Sequence, residues 1–323
     1  MRFGLALALG TTSLVLLAAT GCGSDDPATD PRGDRSGEIS QLERQKQRLE
    51  KQIRAQEKID AAAAEKKTVE VGGDTEVNSI IARLPGQAGL VAGAPGSGGP
   101  DLGGGSLKTG VAWSTIKVPI AERVLEDAGG PNRITPAQAD EITRAITLSD
   151  NDAAASLFAG LEAEHGGLQG ATGAVNEMLL HAGDRETSVS AIGRDGFSTY
   201  GQTEWSLANQ FKYMAALAGG CIGDAASRSY LLGQMASVGG SDTFGLGAAG
   251  FPAKWKGGWG PGTDGRYLVR QMGVMEVNGK PVVVAMAAIP DDGTFETGMS
   301  MLSDLARSTA SRLADSISGP TGC

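Results

Sequence analysis

Ser114 and Lys117 are spaced so that they could together form an activated nucleophile. They begin and end the segment Ser-Thr-Ile-Lys, which we predict to open a helix. Because residues three apart share one helix face, the lysine amine lies within reach of the serine hydroxyl. A neutral lysine can accept the serine proton, and unpaired N–H groups at a helix start favour the negative charge that then develops. The pair predicts serine nucleophile chemistry, and a plain amphipathic helix start is the alternative.

Two further short motifs follow in the chain. Ser149-Asp150-Asn151 falls between two predicted helices, and Lys256-Gly257-Gly258 directly precedes a predicted hairpin. A serine and a lysine three apart are expected about once by chance in such a chain, whereas Ser-Asp-Asn is expected far less often. Helix capping is the alternative for Ser-Asp-Asn, since all three residue types make good caps. The three motifs in one order carry more weight than any one of them.

Histidine chemistry has little support in the composition. The chain has 2 histidines, His165 before a Gly-Gly pair and His181 at a predicted helix end. We interpret both as surface or capping residues. The expected base is therefore lysine, and neither a metal nor a cofactor is expected.

The three motifs resemble the signature of the serine β-lactamase and penicillin-binding protein superfamily, which is Ser-x-x-Lys, then Ser-Asp-Asn, then Lys-Thr-Gly. The resemblance spans about residues 74–318 and points most to class A β-lactamase-like lipoproteins. It implies an α+β fold, with a mixed sheet covered by helices, an all-helical lobe, and the active site between them.

The resemblance also implies a role for each motif residue. Ser114 would be acylated, Lys117 would take its proton, and Ser149 would pass a proton to the leaving nitrogen. The backbone N–H groups of Ser114 and Trp259 would form the oxyanion hole. The residues that bind substrate would be Asn151, Lys256, Gly258 and Trp259.

Two departures from the superfamily pattern bear on turnover. Gly257 stands where threonine or serine is usual, which removes a hydroxyl that would bind the substrate carboxylate. Class A enzymes also carry an Arg-x-Glu-x-x-Leu-Asn loop whose glutamate activates the deacylating water. Residues 185–206 lack that pattern, although they contain three carboxylates, Glu186, Asp195 and Glu204. We therefore expect slow β-lactam hydrolysis.

The N-terminal segment predicts export and lipid anchoring. Arg2 precedes an apolar run from Leu5 to Leu17, and Ala19-Thr20-Gly21 leads into Cys22. The pattern resembles a bacterial lipobox, in which residues 1–21 are a signal peptide and Cys22 carries the lipid. Ordinary cleavage or a retained anchor is the alternative, although the run is short for a membrane span. The expected location is the outer face of the bacterial cell membrane.

Charge and cysteine content narrow the partners and the compartment. The formal net charge of −9 argues against a nucleic-acid partner. Once Cys22 is assigned to lipid, Cys221 and Cys323 remain, and an oxidising compartment favours a disulfide between them. Two unpaired thiols are the alternative.

Three regions follow the signal peptide. Residues 22–37 are polar and predict a disordered tether. Residues 38–67 are rich in helix formers and predict a helical stalk. A coiled coil that would join two copies is the alternative, but Lys46 and Gln56 interrupt its apolar seam. Residues 69–323 form the predicted β-lactamase/transpeptidase-like domain.

The periodicity of that domain predicts a sheet built from both chain ends with helices inserted between them. Residues 88–94 read as a buried strand, 93–105 as a glycine-rich loop, and Asn278-Gly279 as a hairpin turn. Thr135 and Gln138 predict a capping box. Helices are expected at 75–84, 136–147, 151–160, 172–182, 203–218, 224–237 and 297–316.

Two functions from different classes follow. The leading one is an exported, lipid-anchored serine hydrolase that acts on β-lactams or peptidoglycan peptides through an acyl-enzyme on Ser114. The alternative is a non-catalytic lipid-anchored binding module that retains the fold. The intact serines and lysines favour the first, and Gly257 with the missing glutamate favours the second.

Overall fold

The computed structural model describes residues 73–317, 319 and 322. The predicted signal peptide, lipidated Cys22, tether and stalk lie outside these residues and stay predictions. Among the described helices, none is both long and apolar enough to cross a membrane.

The described residues form a five-stranded main sheet and a small second sheet. The strands are β1 Gly86–Gly93, β2 Leu102–Gly105, β3 Thr109–Val111, β4 Glu204–Ser206, β5 Ala253–Pro261, β6 Tyr267–Val277 and β7 Lys280–Pro290. The order of the main sheet is β2-β1-β7-β6-β5, and each of these pairings is antiparallel. Short connections join β1 to β2 and β5 to β6 to β7, and such turns reverse the chain. The second sheet pairs β3 with β4.

The strand β2 lies inside the segment predicted as a glycine-rich loop, so that prediction is wrong for residues 102–105. Its glycines allow the backbone of β2 to lie close to the backbone of β1. A Cβ on Gly105 would lie 2.1 Å from the Ala88 carbonyl oxygen, and the residue has a φ of +88°. Only glycine fits both requirements. The sheet is nevertheless assembled from both chain ends, as predicted, because β1 pairs with β7.

The described part of the chain contains eight α-helices, which cover the sheet and form the helical lobe. The predicted capping box is present, since Thr135 accepts from the Gln138 N–H and the Gln138 side chain accepts from the Thr135 N–H. The helix predicted from residue 203 begins later, after Ser206, because the preceding residues pair with β3 instead. The helices are α1 Thr75–Ile81, α2 Lys117–Ala128, α3 Pro136–Thr147, α4 Asn151–His165, α5 Leu168–His181, α6 Leu207–Gly219, α7 Ala225–Ala236 and α8 Phe295–Ser316.

Two apolar cores lie on the two faces of the sheet. One packs α1 and α8 against it, with Leu302, Leu305 and Leu313 of α8 fully buried. The other joins the sheet to the helical lobe and contains Ile116, Ile142 and other buried residues. Burying each such leucine or isoleucine stabilises the fold by about 1.5–3 kcal/mol. The α+β class and the all-helical lobe are confirmed, and the second core joins the lobe to β1, β6 and β7.

Candidate active site

The three sequence motifs meet at one point, and Ser149 is their centre. The Lys117 Nζ donates to the Ser149 carbonyl oxygen at 2.6 Å and to the Asn151 Oδ1 at 2.7 Å. The Lys256 Nζ lies 2.8 Å from the Ser149 Oγ. Four residues from three segments that are remote in sequence thus form one hydrogen-bonded network between the lobe and β5.

The backbone of Ser149 explains how one residue contacts both lysines. Its φ is +55°, in the left-handed region that most residues avoid. The next residue, Asp150, caps α4 by accepting from the Asp152 and Ala153 N–H groups. Arg144 forms an ion pair with the other carboxylate oxygen of Asp150. This anchored turn presents the carbonyl of Ser149 to Lys117 and its hydroxyl to Lys256.

The Ser114 segment forms a 3₁₀ turn, Trp113–Ile116, which continues directly into α2. The predicted helix start is therefore present, with one tighter turn at its beginning. A buried chain of hydrogen bonds fixes this turn. The Gln210 amide donates to the Thr115 hydroxyl at 2.9 Å, and that hydroxyl donates to the Ala112 carbonyl at 2.6 Å. On its other side, the Gln210 Oε1 accepts from Arg270 at 2.9 Å.

β5 lies against the Ser114 turn at Gly258. A Cβ on Gly258 would lie 2.8 Å from the Ser114 nitrogen and 3.0 Å from the Thr115 nitrogen. Any side chain there would push the strand away, so glycine is required for this contact. The contact places the strand that carries Trp259 beside the backbone of Ser114. The predicted oxyanion donors are thus on adjacent segments.

Burial lowers the pKa of both lysines. Desolvation, followed by repulsion from Lys256, lowers the pKa of Lys117 to about 7. Desolvation lowers the pKa of Lys256 to about 8, although the Asp242 carboxylate opposes that change. A fraction of Lys117 is consequently neutral near pH 7 and can accept a proton. Lys256 remains mostly protonated at the same pH.

The site opens into a cleft of about 400 Å³. Ser114 lines it, but the hydrogen bonds of the Lys117 Nζ among the described residues go to Ser149, Asp150 and Asn151 and not to the Ser114 hydroxyl. Of the residues that line the cleft, Asp152 alone carries a carboxylate. Glu186, Asp195 and Glu204 do not line it, and Glu186 instead accepts from Asn209. The other walls are formed by Trp113, Lys117, Ser149, Asn151, Ala155, Trp259 and residues between 196 and 202.

Gly257 leaves room for a larger residue. The atoms nearest to a Cβ at this position would be Phe244 Cζ and Trp259 Cζ3, both at 3.5 Å. That separation is ordinary van der Waals contact. The loss of the usual hydroxyl is therefore not forced by packing at the Cβ.

Sequence reasoning missed three residues that support the site. Arg270 is fully buried and donates to the carbonyls of Gly110, Val111 and Trp205 as well as to Gln210. Burial lowers its pKa to about 9. Gln210 and the buried Asp242 are the other two. Their positions in helix and loop patterns carry no chemical signal, because only the tertiary fold brings them to the site.

The histidines lie elsewhere. His165 ends α4, and its Nε2 lies 2.8 Å from the Asp127 carboxylate, which also pairs with Arg123. Asp127, Glu164 and His165 could place three ligand atoms within 4.8 Å of one another, but the Asp127 carboxylate already pairs with Arg123 and contacts His165. None of the three lines the Ser114 cleft.

Cys221 is disulfide-bonded. Its partner lies outside the described residues, so the pairing with Cys323 stays a prediction.

The sequence matches no protein-family model and no curated protein. The structure is similar to several solved ones. The β-lactamase from Streptosporangium roseum has a TM-score of 0.56 and 17% identity, over 75% of this chain and 97% of that chain. The TLA-3 extended-spectrum β-lactamase has a TM-score of 0.59 and 15% identity, over 75% and 99%. PBP-A has a TM-score of 0.55 and 21% identity, over 74% and 95%.

At identities of 15–21%, the likeness establishes the fold and not the reaction. It covers about three quarters of this chain and nearly all of each neighbour, so a whole domain is matched. The structural match covers the whole domain of each neighbour, and the three motifs of this chain meet at one site within it. The chain therefore has the fold of the serine β-lactamase and penicillin-binding protein superfamily.

Proposed function

We propose that the protein is an exported, lipid-anchored serine acyl-transfer hydrolase that forms an acyl-enzyme on Ser114 with β-lactams or cell-wall peptides. The observation that carries the proposal is the position of Ser149 between two lysines of different pKa. One lysine, with a pKa of about 7, can receive a proton, and the other, with a pKa of about 8, can supply one.

The proposed acylation step uses Ser114, Ser149 and the two lysines. The Ser114 oxygen attacks the carbonyl carbon of the amide, and its proton passes to neutral Lys117. The carbon–nitrogen bond then breaks, and the leaving nitrogen takes a proton from the Ser149 hydroxyl. Ser149 regains a proton from the Lys256 ammonium at 2.8 Å. Lys117 gains one proton and Lys256 loses one, so the step is balanced.

Release of the acyl group is the slow step in this proposal. Hydrolysis of the ester needs a base beside the attacking water, and general-base assistance is worth about 10²–10⁴-fold in rate. Asp152 is the one carboxylate among the described residues that line the cleft, and it is exposed in the first turn of α4. An acyl-enzyme on Ser114 should therefore live far longer than one in an efficient β-lactamase.

A non-catalytic binding module is the second candidate. Two observations favour it. The hydrogen bonds given for Lys117 go to Ser149 and Asn151 rather than to Ser114, and Gly257 carries no hydroxyl. Such a module would bind the same ligands in the same cleft without forming a covalent bond.

One experiment separates the two candidates. The protein is mixed with a penicillin, and the intact mass is followed with time. We expect a mass increase equal to the whole penicillin, lost only slowly, and no increase with Ser114→Ala. A folded wild-type protein that gains no mass with penicillins or cephalosporins would support the binding module. Rapid loss of the adduct would show that a deacylating base exists.

Lipid anchoring at Cys22 and location at the outer membrane face belong to the same proposal. They are supported by the small residues that precede Cys22. Cys22→Ser should move the protein from the membrane fraction to the soluble fraction. Persistence in the membrane fraction after signal cleavage would refute the anchor.

A further inference from the structure

Aromatic residues are concentrated in the cleft that Ser114 lines. Phenylalanine, tryptophan and tyrosine make up 5% of the chain, yet this one cleft is lined by Trp113, Phe197, Tyr200 and Trp259. Trp113 and Tyr200 are buried and Trp259 is half-buried, so packing of the domain accounts for these three. Phe197 differs from them, because it is the one exposed aromatic residue in the part of the chain that the structure describes. Its place on the cleft wall needs another explanation.

A short turn of the backbone places Phe197 there. The Phe197 N–H donates to the Arg194 carbonyl oxygen at 2.8 Å, which closes a four-residue turn. Gly196 occupies the third position of this turn with a φ of +82°, a left-handed conformation that glycine adopts readily. The Arg194 Nη2 donates to the Pro261 carbonyl oxygen at 2.6 Å and so ties the turn to the end of β5. The turn is therefore anchored to the sheet rather than free.

Two side chains hold the ring of Phe197 itself. The Trp113 ring meets it edge to face, with 5.2 Å between the two ring centroids. The Arg194 guanidinium carbon lies 4.3 Å from the Phe197 centroid, which is a cation–π contact. Even with both neighbours in place, 38% of Phe197 remains exposed. Phe197 thus offers a fixed apolar surface on the cleft wall, and a fixed surface loses little entropy when a ligand binds.

The chemistry of this surface favours an uncharged ring as its partner. A carboxylate against the Phe197 ring would lose water without gaining a hydrogen bond from it. A cation there would be repelled by the Arg194 guanidinium, which already lies over the ring. Two aromatic rings, in contrast, gain more from contact than their buried area alone provides. The cleft volume of about 400 Å³ is also within the range of small-molecule sites.

We propose that Phe197 determines the specificity of the reaction at Ser114 by binding an aromatic ring that the substrate carries. The inference rests on the proposed function, which holds the substrate at Ser114. Ser114 and Phe197 line the same cleft, so one ligand in that cleft can contact both. The substrate class is therefore an amide or β-lactam with an aryl substituent, and an unsubstituted or purely aliphatic amide is a poorer substrate.

The test uses two penicillins that differ only in the ring, one with a phenylacetyl side chain and one with an acetyl side chain. We expect the phenylacetyl compound to acylate Ser114 at least about tenfold faster at low concentration, because even one methylene in an apolar pocket is worth about that much. Phe197→Ala should remove most of this ratio, and Phe197→Tyr, which keeps the ring, should preserve it. Ile192→Ala is the matched control, since Ile192 is exposed in the same loop but does not line the cleft. It should leave the ratio unchanged.

The failure of this proposal is distinguishable from the failure of the proposed function. Equal acylation rates for the two penicillins, or a ratio that Phe197→Ala leaves unchanged, would refute the role of Phe197 while leaving the acyl-enzyme intact. If neither penicillin forms an adduct, the proposed function fails, and reversible binding of both compounds to Ser114→Ala protein is measured by calorimetry instead. Tighter binding of the phenylacetyl compound, lost when Phe197→Ala is added, would support the role of Phe197. Equal binding of the two compounds, or no binding of either, would refute it.

Discussion

The coupling between the two lysines makes a prediction about the pH dependence of acylation. The Lys256 ammonium is the second cause, after burial, of the lowered pKa of Lys117. Ser149 lies between the two nitrogens, with contacts of 2.6 and 2.8 Å. Lys256→Met removes the charge and keeps an unbranched side chain of similar length. The pKa of Lys117 should then rise, because a nearby positive charge no longer disfavours its protonation.

The size of the effect follows from Coulomb's law. With Ser149 between them, the two nitrogens are on the order of 6 Å apart, and an effective dielectric constant of about 20 gives a repulsion of about 3 kcal/mol. One pKa unit corresponds to about 1.4 kcal/mol, so the pKa of Lys117 should rise by about one to two units. At pH 7, about half of Lys117 is neutral in the wild type. The neutral fraction should fall about 5- to 50-fold in the variant.

The assay is the rate of Ser114 acylation by a penicillin between pH 5.5 and 9.5. We expect a bell-shaped profile in the wild type, with limbs near pH 7 and pH 8 from Lys117 and Lys256. In Lys256→Met, the rate falls at every pH, the acid limb moves up by one to two pH units, and the alkaline limb disappears.

The matched control is Lys254→Met, which removes an exposed charge from the same strand and should leave both limbs in place. If acylation is too slow to follow in Lys256→Met, the Lys117 amine is titrated by NMR instead. A Lys117 pKa that stays near 7 without the Lys256 charge would refute the coupling.

Two further predictions concern specificity and stability. Gly257→Thr should raise the acylation rate about tenfold, because the added hydroxyl can bind the substrate carboxylate. The new Cβ would lie 3.5 Å from Phe244, which is an ordinary contact. An unchanged acylation rate in a folded variant would contradict this prediction. Glu122 is buried beside the Tyr213 hydroxyl, and burial raises the pKa of its carboxyl to about 7, so the protein should lose stability as the pH rises from about 4.5 to 7. In urea unfolding, Glu122→Gln should be about 3 kcal/mol more stable than the wild type at pH 8 and equally stable at pH 4. An equal gain in stability at both pH values would contradict the raised pKa of Glu122.

Local signals made much of the fold predictable. The capping box at Thr135 and the Asn278-Gly279 turn specify their elements through nearby residues, and both are found where expected. β2 was missed because its glycines have little strand propensity, and they are accommodated by contact with a strand that only the folded sheet supplies.

The candidate site divides in the same way. Ser114, Lys117, Ser149, Asn151 and Lys256 were found because their types and order form recognisable motifs. Arg270 and Gln210 were missed because they act through carbonyls and amides rather than through chemistry of their own. The left-handed backbone of Ser149 was missed for another reason, since serine has no marked preference for that conformation.

The position of β5 at the margin of the sheet has a consequence for the behaviour of the protein at high concentration. A bare strand at such a margin can pair with the same strand of another molecule and begin aggregation. Here the Ser114 turn lies against Gly258, the Trp113 ring against Gly260, and Arg194 on the Pro261 carbonyl. The contacts of the Ser114 turn, Trp113 and Arg194 therefore shield this margin from self-association. Changes that loosen Arg194 would expose the strand and lower the solubility of the protein.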